Sequence, residues 1–392
     1  MSRRPPQQPV THVPGLSADG VNVTGVDAAE RRARAGWSRL AEPADPVATA
    51  MIAELGAVAA WDAVCTSTSP VLDRFRARLP EVIPDRDLDI AARLGVRVLC
   101  PGDPDWPGGL NDLAAPPYCL WVRGSLALGS ALSRSVAVVG ARAATPYGEF
   151  AAFDLAADLA EQGVLVVSGA ALGIDAAAHR GALAAGGPTV AVLAGGVDRP
   201  YPAAHRDLID QIAQTGAVIA ETAPGGAPMK VRFLHRNRMI ATATQVTVVV
   251  EAGLRSGSRH TASTAAAHHR IVAAVPGPVT SMTSAGCHEM IRSGMAVLVT
   301  DAADVRELLD DYGSPAAGVI RRGPGRPEDE VAPADRGVYD ALPLRTARPV
   351  ERIAATAGTS VADAQVSLGR LLMSGHAIRG DRGWRRGTPG AS

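Results

Sequence analysis

The chain has 392 residues, 47% of them hydrophobic and 20% charged, which is room for two or three domains and too apolar for disorder along its whole length. Lys+Arg and Asp+Glu both total 39, so no bulk charge draws the protein onto a polyanion, and any such attraction must come from local clustering of basic groups. No uninterrupted apolar run approaches the roughly 20 residues needed to cross a bilayer, and Cys65, Cys100, Cys119 and Cys287 lack the spacing of a zinc site or a disulfide frame. A cytoplasmic protein without a metal, and with no membrane partner, is expected.

Residues 1–20 are rich in proline and polar side chains, and "MSRRPPQQPVTHVPGL" has no apolar stretch behind its basic residues, which predicts a flexible tail rather than a secretory signal. Over 21–88 the pattern is helical, with breaks at Pro43, Pro46 and Gly56. This suits a small SAM-like or helix-hairpin-helix-like module, or a plain helical cap. Over 89–311 short branched runs alternate with helical segments: "VAVVG" (136–140), "VLVVS" (164–168), "TVAVLAG" (189–195), "AVIAE" (217–221), "VTVVVE" (246–251) and "IVAAVPG" (271–277). Runs apolar at successive positions mark strands covered on both faces, so an α/β fold is expected: an extended Rossmann-type, doubly wound, mostly parallel sheet. Residues 312–335, rich in Pro, Gly and charge, read as a linker. Residues 336–388 show three helix-like pieces and then "HAIRGDRGWRR", two short strands about a glycine turn, which is the order of a winged helix.

The loop after the first sheet strand, "GARAATPYG", lacks the G-x-G-x-x-G fingerprint, and the second strand ends in Ser168-Gly169 rather than in an acid for a ribose. A P-loop is also missing, so the usual handles for a nucleotide are absent and no cofactor is implied. Three strand ends instead share small or hydroxyl residues at helix starts: Gly140-x-Arg142, Ser168-Gly169 and Ser256-Gly257-Ser258. Such corners bind anions, because unpaired amides and the helix dipole point the same way, although they also serve as tight turns and caps. Together with the "HRNR" cluster, Arg236, Asn237 and Arg238 included, they suit several phosphates in a row. Lys230 is the only lysine, so the contacts would be made largely by guanidinium forks.

Asp175 and His179 stand four residues apart on one helix face and can pair. Ser168 lacks a nucleophile elbow and His179 lacks a metal-ligand spacing. Asp175 and His179 therefore read as structural or positioning residues, and no catalytic residue is expected.

The motifs "VAVVGARAATPYG", "VVSGAALGIDAAAH", "TVAVLAGGVDRPYP", "FLHRNRMIA", "VTVVVEAGLRSGSRHTA" and "VAAVPGPV", followed by "GCHEMIRSGMAVLV", stand in an order and spacing that resembles the DNA-processing protein A (DprA, Smf) family, from about Asp105 to Leu309. "WPGGLNDLAAPPYCLWVRG" is similar to the segment before that family's Rossmann domain. The chain departs from the family pattern at Trp106, Ala203 and His205. The resemblance implies a non-enzymatic, dimeric binder of single-stranded DNA. Such a protein shields incoming strands and loads recombinase A in natural transformation, with single-strand-binding protein as a further candidate partner. It also implies that Arg142 lines a positive pocket bordered by Ser168, Gly169, Arg236 to Arg238 and Ser256 to Ser258. With 4% aromatic residues, base stacking would be confined to Tyr147, Tyr201 and Phe233. Two other readings stand beside this one: a nucleoside-monophosphate phosphoribohydrolase-like enzyme on a related fold, for which "EAGLRSGSRHTA" has no acid after its glycine, and a winged-helix regulator of duplex DNA.

Overall fold

The computed structural model describes residues 25–309 and 330–387. They belong to two compact units divided between Ser314 and Pro315. The expected tail over 1–20, and residues 312–329 of the expected linker, lie outside the described residues.

The first unit opens with five helices: α1 (Ala28–Leu40), α2 (Pro46–Leu55), α3 (Ala57–Thr66), α4 (Asp73–Arg76) and α5 (Pro84–Arg93). Asp27 caps α1 by accepting from the Glu30 amide, and Asp45 caps α2 by accepting from Val47 and Ala48, with Pro46 at the first helical position. Gly56, at a φ of 81°, separates α2 from α3. Trp37 anchors a local core, edge-on to Trp61 and Phe75 at 6.0 and 5.7 Å. These helices are tied to the rest of the unit by the ion pairs of Arg31 with Asp103 and of Arg232 with Glu42, each at 2.8 Å, while Arg39 with Asp87 at 2.8 Å joins α1 to α5.

After α5 come β1 (Val96–Leu99), β2 (Leu120–Arg123), α6 (Leu128–Ala131), β3 (Ser135–Val139), α7 (Pro146–Glu161), β4 (Leu165–Ser168), α8 (Ile174–Ala184), β5 (Thr189–Leu193) and α9 (Arg206–Thr215). Then follow β6 (Ala217–Ala220), α10 (Lys230–Ala243), β7 (Val246–Val249), α11 (Gly257–Ala267), β8 (Ile271–Ala274), α12 (Ala285–Arg292), β9 (Val297–Leu298) and α13 (Ala302–Leu309). The strands form one sheet in the order β1-β2-β6-β5-β4-β3-β7-β8-β9. From β6 to β9 all neighbours are parallel, whereas β1 and β2 join antiparallel at one edge.

All six expected strands are present as β3 to β8. Their continuous apolar runs follow from burial on both faces: along β3, Ala137 and Val139 join one core while Val136 and Val138 join the other. From β3 the chain winds outward through β4, β5 and β6, then crosses to the far side of β3 for β7. The topological switch point therefore lies between the carboxyl ends of β3 and β7, where sheets of this kind take their ligands.

The second unit contains α14 (Arg336–Ala341), α15 (Val350–Ala357), α16 (Val361–Met373) and an antiparallel hairpin of β10 (Ala377–Gly380) and β11 (Gly383–Arg386). Its core gathers Val338, Tyr339, Leu342, Ile353, Leu368 and Leu371. Val331 and Asp335, which composition assigns to the linker, are buried here: Val331 joins that core, and Asp335 accepts from the Arg370 guanidinium at 2.9 Å. No single helix among the described residues is long and apolar enough to cross a membrane.

Candidate nucleic-acid interface

Gly140 ends β3 where no larger residue fits; a Cβ there would come within 2.5 Å of Ile174 and 2.9 Å of the Glu251 carbonyl. Glu251, just past β7, is buried, and its carboxylate accepts from the Thr145 amide at 2.9 Å, the Thr145 hydroxyl at 2.6 Å and the Thr283 hydroxyl at 3.0 Å. Thr145 also caps α7 by accepting from the Gly148 amide. The switch-point crevice is thus filled by a carboxylate that ties the turn carrying Arg142 to β7. A pyrophosphate there would meet carboxylate oxygens already accepting from three donors instead of free backbone amides. Glu251 lay within a quoted strand without a role; its signal was an acid at a strand end opposite a helix-capping threonine.

At the β4 corner the expected phosphate cradle is occupied from within. The Ser168 hydroxyl is fully buried and donates to the Val138 carbonyl at 2.6 Å. The Gly169 and Ala171 amides both donate to Asp175 Oδ2, at 3.2 and 3.4 Å. Ala170, at a left-handed φ of 54°, turns its carbonyl to His205 Nδ1 at 2.9 Å. Asp175 and His179 are not hydrogen-bonded to each other, because each has found a nearer partner. His179 Nδ1 meets the Thr189 hydroxyl at 2.8 Å, and that hydroxyl gives its proton to the Val166 carbonyl, so Nδ1 carries a hydrogen and donates it. Burial pulls His179 down to about 3.

Arg236 lies beneath this corner. It is 5% exposed, donates from Nη1 to the Val192 carbonyl at 2.6 Å, and rests so closely on Gly169 that a Cβ there would fall 1.8 Å from it. Burial lowers its pKa to about 10, with Asp175 opposing the fall. Asp175 is raised by its own burial, against the pull of Arg236 and Arg142. Asn237 accepts from Arg236 Nε at 3.1 Å. Arg238 turns the other way, donating to both oxygens of the buried Glu221 at 2.6 and 2.7 Å and to the Ala115 carbonyl. Of the "HRNR" cluster, neither Arg236 nor Arg238 presents a free cation.

The open part of the edge is the β3–α7 turn and the start of α10. Arg142 is exposed, with its guanidinium 4.9 Å from the centre of the Phe233 ring; Arg236 is 5.9 Å from the same ring, and Tyr201 stands edge-on at 5.6 Å. The α10 N-terminus has no side-chain cap and no acid in its first turn, and begins with Lys230, so dipole and side chain add to one positive end. Arg142, Arg199 and Lys230 are exposed and have no carboxylate partner among the described residues. Ser256, Gly257 and Ser258 follow β7 on the far side of β3; Ser256 caps α11, and its hydroxyl lies 2.7 Å from that of Ser258. The three corners read from the sequence therefore lie on the adjacent strands β7, β3 and β4, along one carboxyl edge.

Fold and edge together describe a Rossmann-type sheet with its dinucleotide crevice closed and a cationic, aromatic corner beside it. The chain belongs to the DNA recombination-mediator protein A family, whose sequence profile matches residues 97–310, a family of DNA-processing recombination mediators. It is 45% identical over 367 residues to a Mycobacterium tuberculosis protein named as a DNA processing protein DprA, across 90% of this chain and 94% of that one. With the Smf protein of Escherichia coli it shares 35% identity over 287 residues, 71% of this chain and 74% of the relative. The X-ray structure of DprA from Streptococcus pneumoniae matches with a TM-score of 0.62 at 30% identity, covering 74% of this chain and all of that one.

Proposed function

We propose that this chain is a non-enzymatic mediator that holds single-stranded DNA along the carboxyl edge of its sheet and passes it to recombinase A, acting as a homodimer in the cytoplasm. The observation that carries this reading is the Arg142 guanidinium stacked on Phe233, with Tyr201 edge-on, beside the uncapped and acid-free start of α10. Arg142, Lys230 and Arg199 would take backbone phosphates, and Phe233 and Tyr201 would offer a stacking platform worth about 1–3 kcal/mol per base. Arg236 acts from below as a positioning residue. Gly140 and Gly169 allow the close approaches the corner needs, and the Ser256 to Ser258 turn marks the path on the β7 side. Binding by phosphates implies weak sequence preference and a log affinity that falls against log salt by about 0.7 per neutralised phosphate. Glu251, the acid at the switch point, is enclosed by three donors, which supports a site that holds rather than cleaves. The second unit, three helices followed by a hairpin, we read as a winged-helix module.

The test is growth of recombinase A filaments on strands coated with single-strand-binding protein. Acceleration by this chain, reduced by Arg142→Ala, supports the reading; no acceleration by the unaltered chain refutes the mediator role.

A further inference from the structure

Residues 330–387 carry nine arginines against six acids, in a chain whose bases and acids balance overall. Several of these arginines converge on the hairpin. Arg379 pairs with Trp384 across β10 and β11, and Arg348 bridges to Trp384 from the other side through two backbone hydrogen bonds of 2.9 and 2.8 Å. Residues directly opposed across strands share one face, so Trp384 stands between two arginines, with the Arg379 guanidinium 5.6 Å from its ring. Arg382 occupies the turn. Arg348, Arg379 and Arg382 are exposed, and none has a carboxylate partner among the described residues. Like charges gathered on one small hairpin repel, and the arrangement becomes favourable when a polyanion supplies the counter-charge.

The neighbouring helix has the opposite character. On α16, Val361, Val366, Leu372 and Met373 are exposed and apolar, and Arg370 is committed to Asp335. Reading base edges in a major groove requires donors and acceptors on such a helix, and α16 presents few.

We propose that the hairpin, centred on Arg348, Trp384 and Arg379, is a second nucleic-acid contact that grips the phosphate backbone without reading sequence. Guanidinium forks suit phosphate oxygens, and the half-buried indole holds their spacing. This proposal does not depend on the edge of the sheet domain.

The test uses the full chain, with Arg348→Gln, Arg379→Gln and Arg382→Gln combined, both in an otherwise unaltered protein and together with Arg142→Ala. Binding of an oligo-dT strand and of a mixed-sequence duplex is measured by anisotropy across a salt series. With Arg142→Ala alone, residual affinity for both probes is expected. Adding the three glutamines should weaken that affinity about tenfold or more and lower the single-strand salt slope by about two. Arg382→Gln alone, in an exposed turn where folding is not at stake, should lower the slope by about 0.7. The proposal is overturned if the three substitutions leave affinity and slope unchanged in both backgrounds. It also falls if the Arg142→Ala chain binds neither probe, or if Val366→Asp on α16 weakens binding as much as the three glutamines do.

Discussion

At the β4 corner, Ser168 and Gly169 lead into α8; one strand away, Gly140 and Arg142 lead into α7. Both corners join a glycine to a helix start, yet the first is closed and the second open. The closed corner spends its amides on Asp175 and its hydroxyl on a strand carbonyl, and covers Gly169 with a buried guanidinium. The open corner keeps its charge outside, stacked on a ring that the closed corner supports through Arg236. An internal carboxylate turns what would be a phosphate cradle into a foundation, and the groups proposed to bind stand on it.

This contrast is most severely tested at the foundation. Asp175→Ala strips one buried and one half-buried amide of their acceptor and removes the negative charge that opposes the burial of Arg236, so a stability loss of about 3–5 kcal/mol is expected in urea unfolding. A loss below about 1 kcal/mol would mean that the corner is not built on that carboxylate. Phe233→Ala, at the open corner, should instead cost about 1–3 kcal/mol in strand affinity, seen in an oligonucleotide titration as roughly a ten- to hundredfold rise in Kd.

The pH dependence of folding separates the two corners again. His179 is held near 3 when folded, against 6.5 for the free side chain. Below pH 6.5 the unfolded chain binds the proton and the folded chain does not, so this group withdraws stability as pH falls from 6.5 toward 3, by at most about 1.4 kcal/mol per pH unit. His179→Gln should therefore flatten the unfolding curve over that window relative to the parent chain, whereas Arg142→Ala, which acts there only through its pull on Asp175, should change the curve's shape less. Parallel curves for His179→Gln and the parent would show that the imidazole is not held neutral. The smallest expected effect is at Lys230, where Lys230→Ala should lower the salt slope of strand binding by about 0.7 with no change in melting temperature.

Much of the sheet was legible because its strands are buried on both faces, which writes burial into successive residues as in "VLVVS". The edge strand β1, interrupted by Arg97, and the two-residue β9 leave no such run, while β2 carries a short one, Leu120-Trp121-Val122, that stands apart from the alternating strand-helix pattern. At the site, the glycines were legible because backbone packed that closely admits no Cβ. What fills the space was not, since it arrives from far along the chain: Arg236 comes to Gly169 from α10, and Thr145 to Glu251 across the switch point. One divergence was available in advance. Residues two apart on a helix point about 200° apart, so Arg236 and Arg238 cannot serve one strand of DNA together, and they turn to Val192 and Glu221 instead.

The most direct measurement of the central claim is the salt dependence of oligo-dT binding by Arg142→Ala and, separately, by Ser168→Ala, each with its melting temperature. If the open corner holds the phosphates, Arg142→Ala lowers the log–log slope by about 0.7 at an unchanged melting temperature, while Ser168→Ala lowers the melting temperature and leaves the slope alone. A slope untouched by Arg142→Ala but reduced by Ser168→Ala would contradict the account.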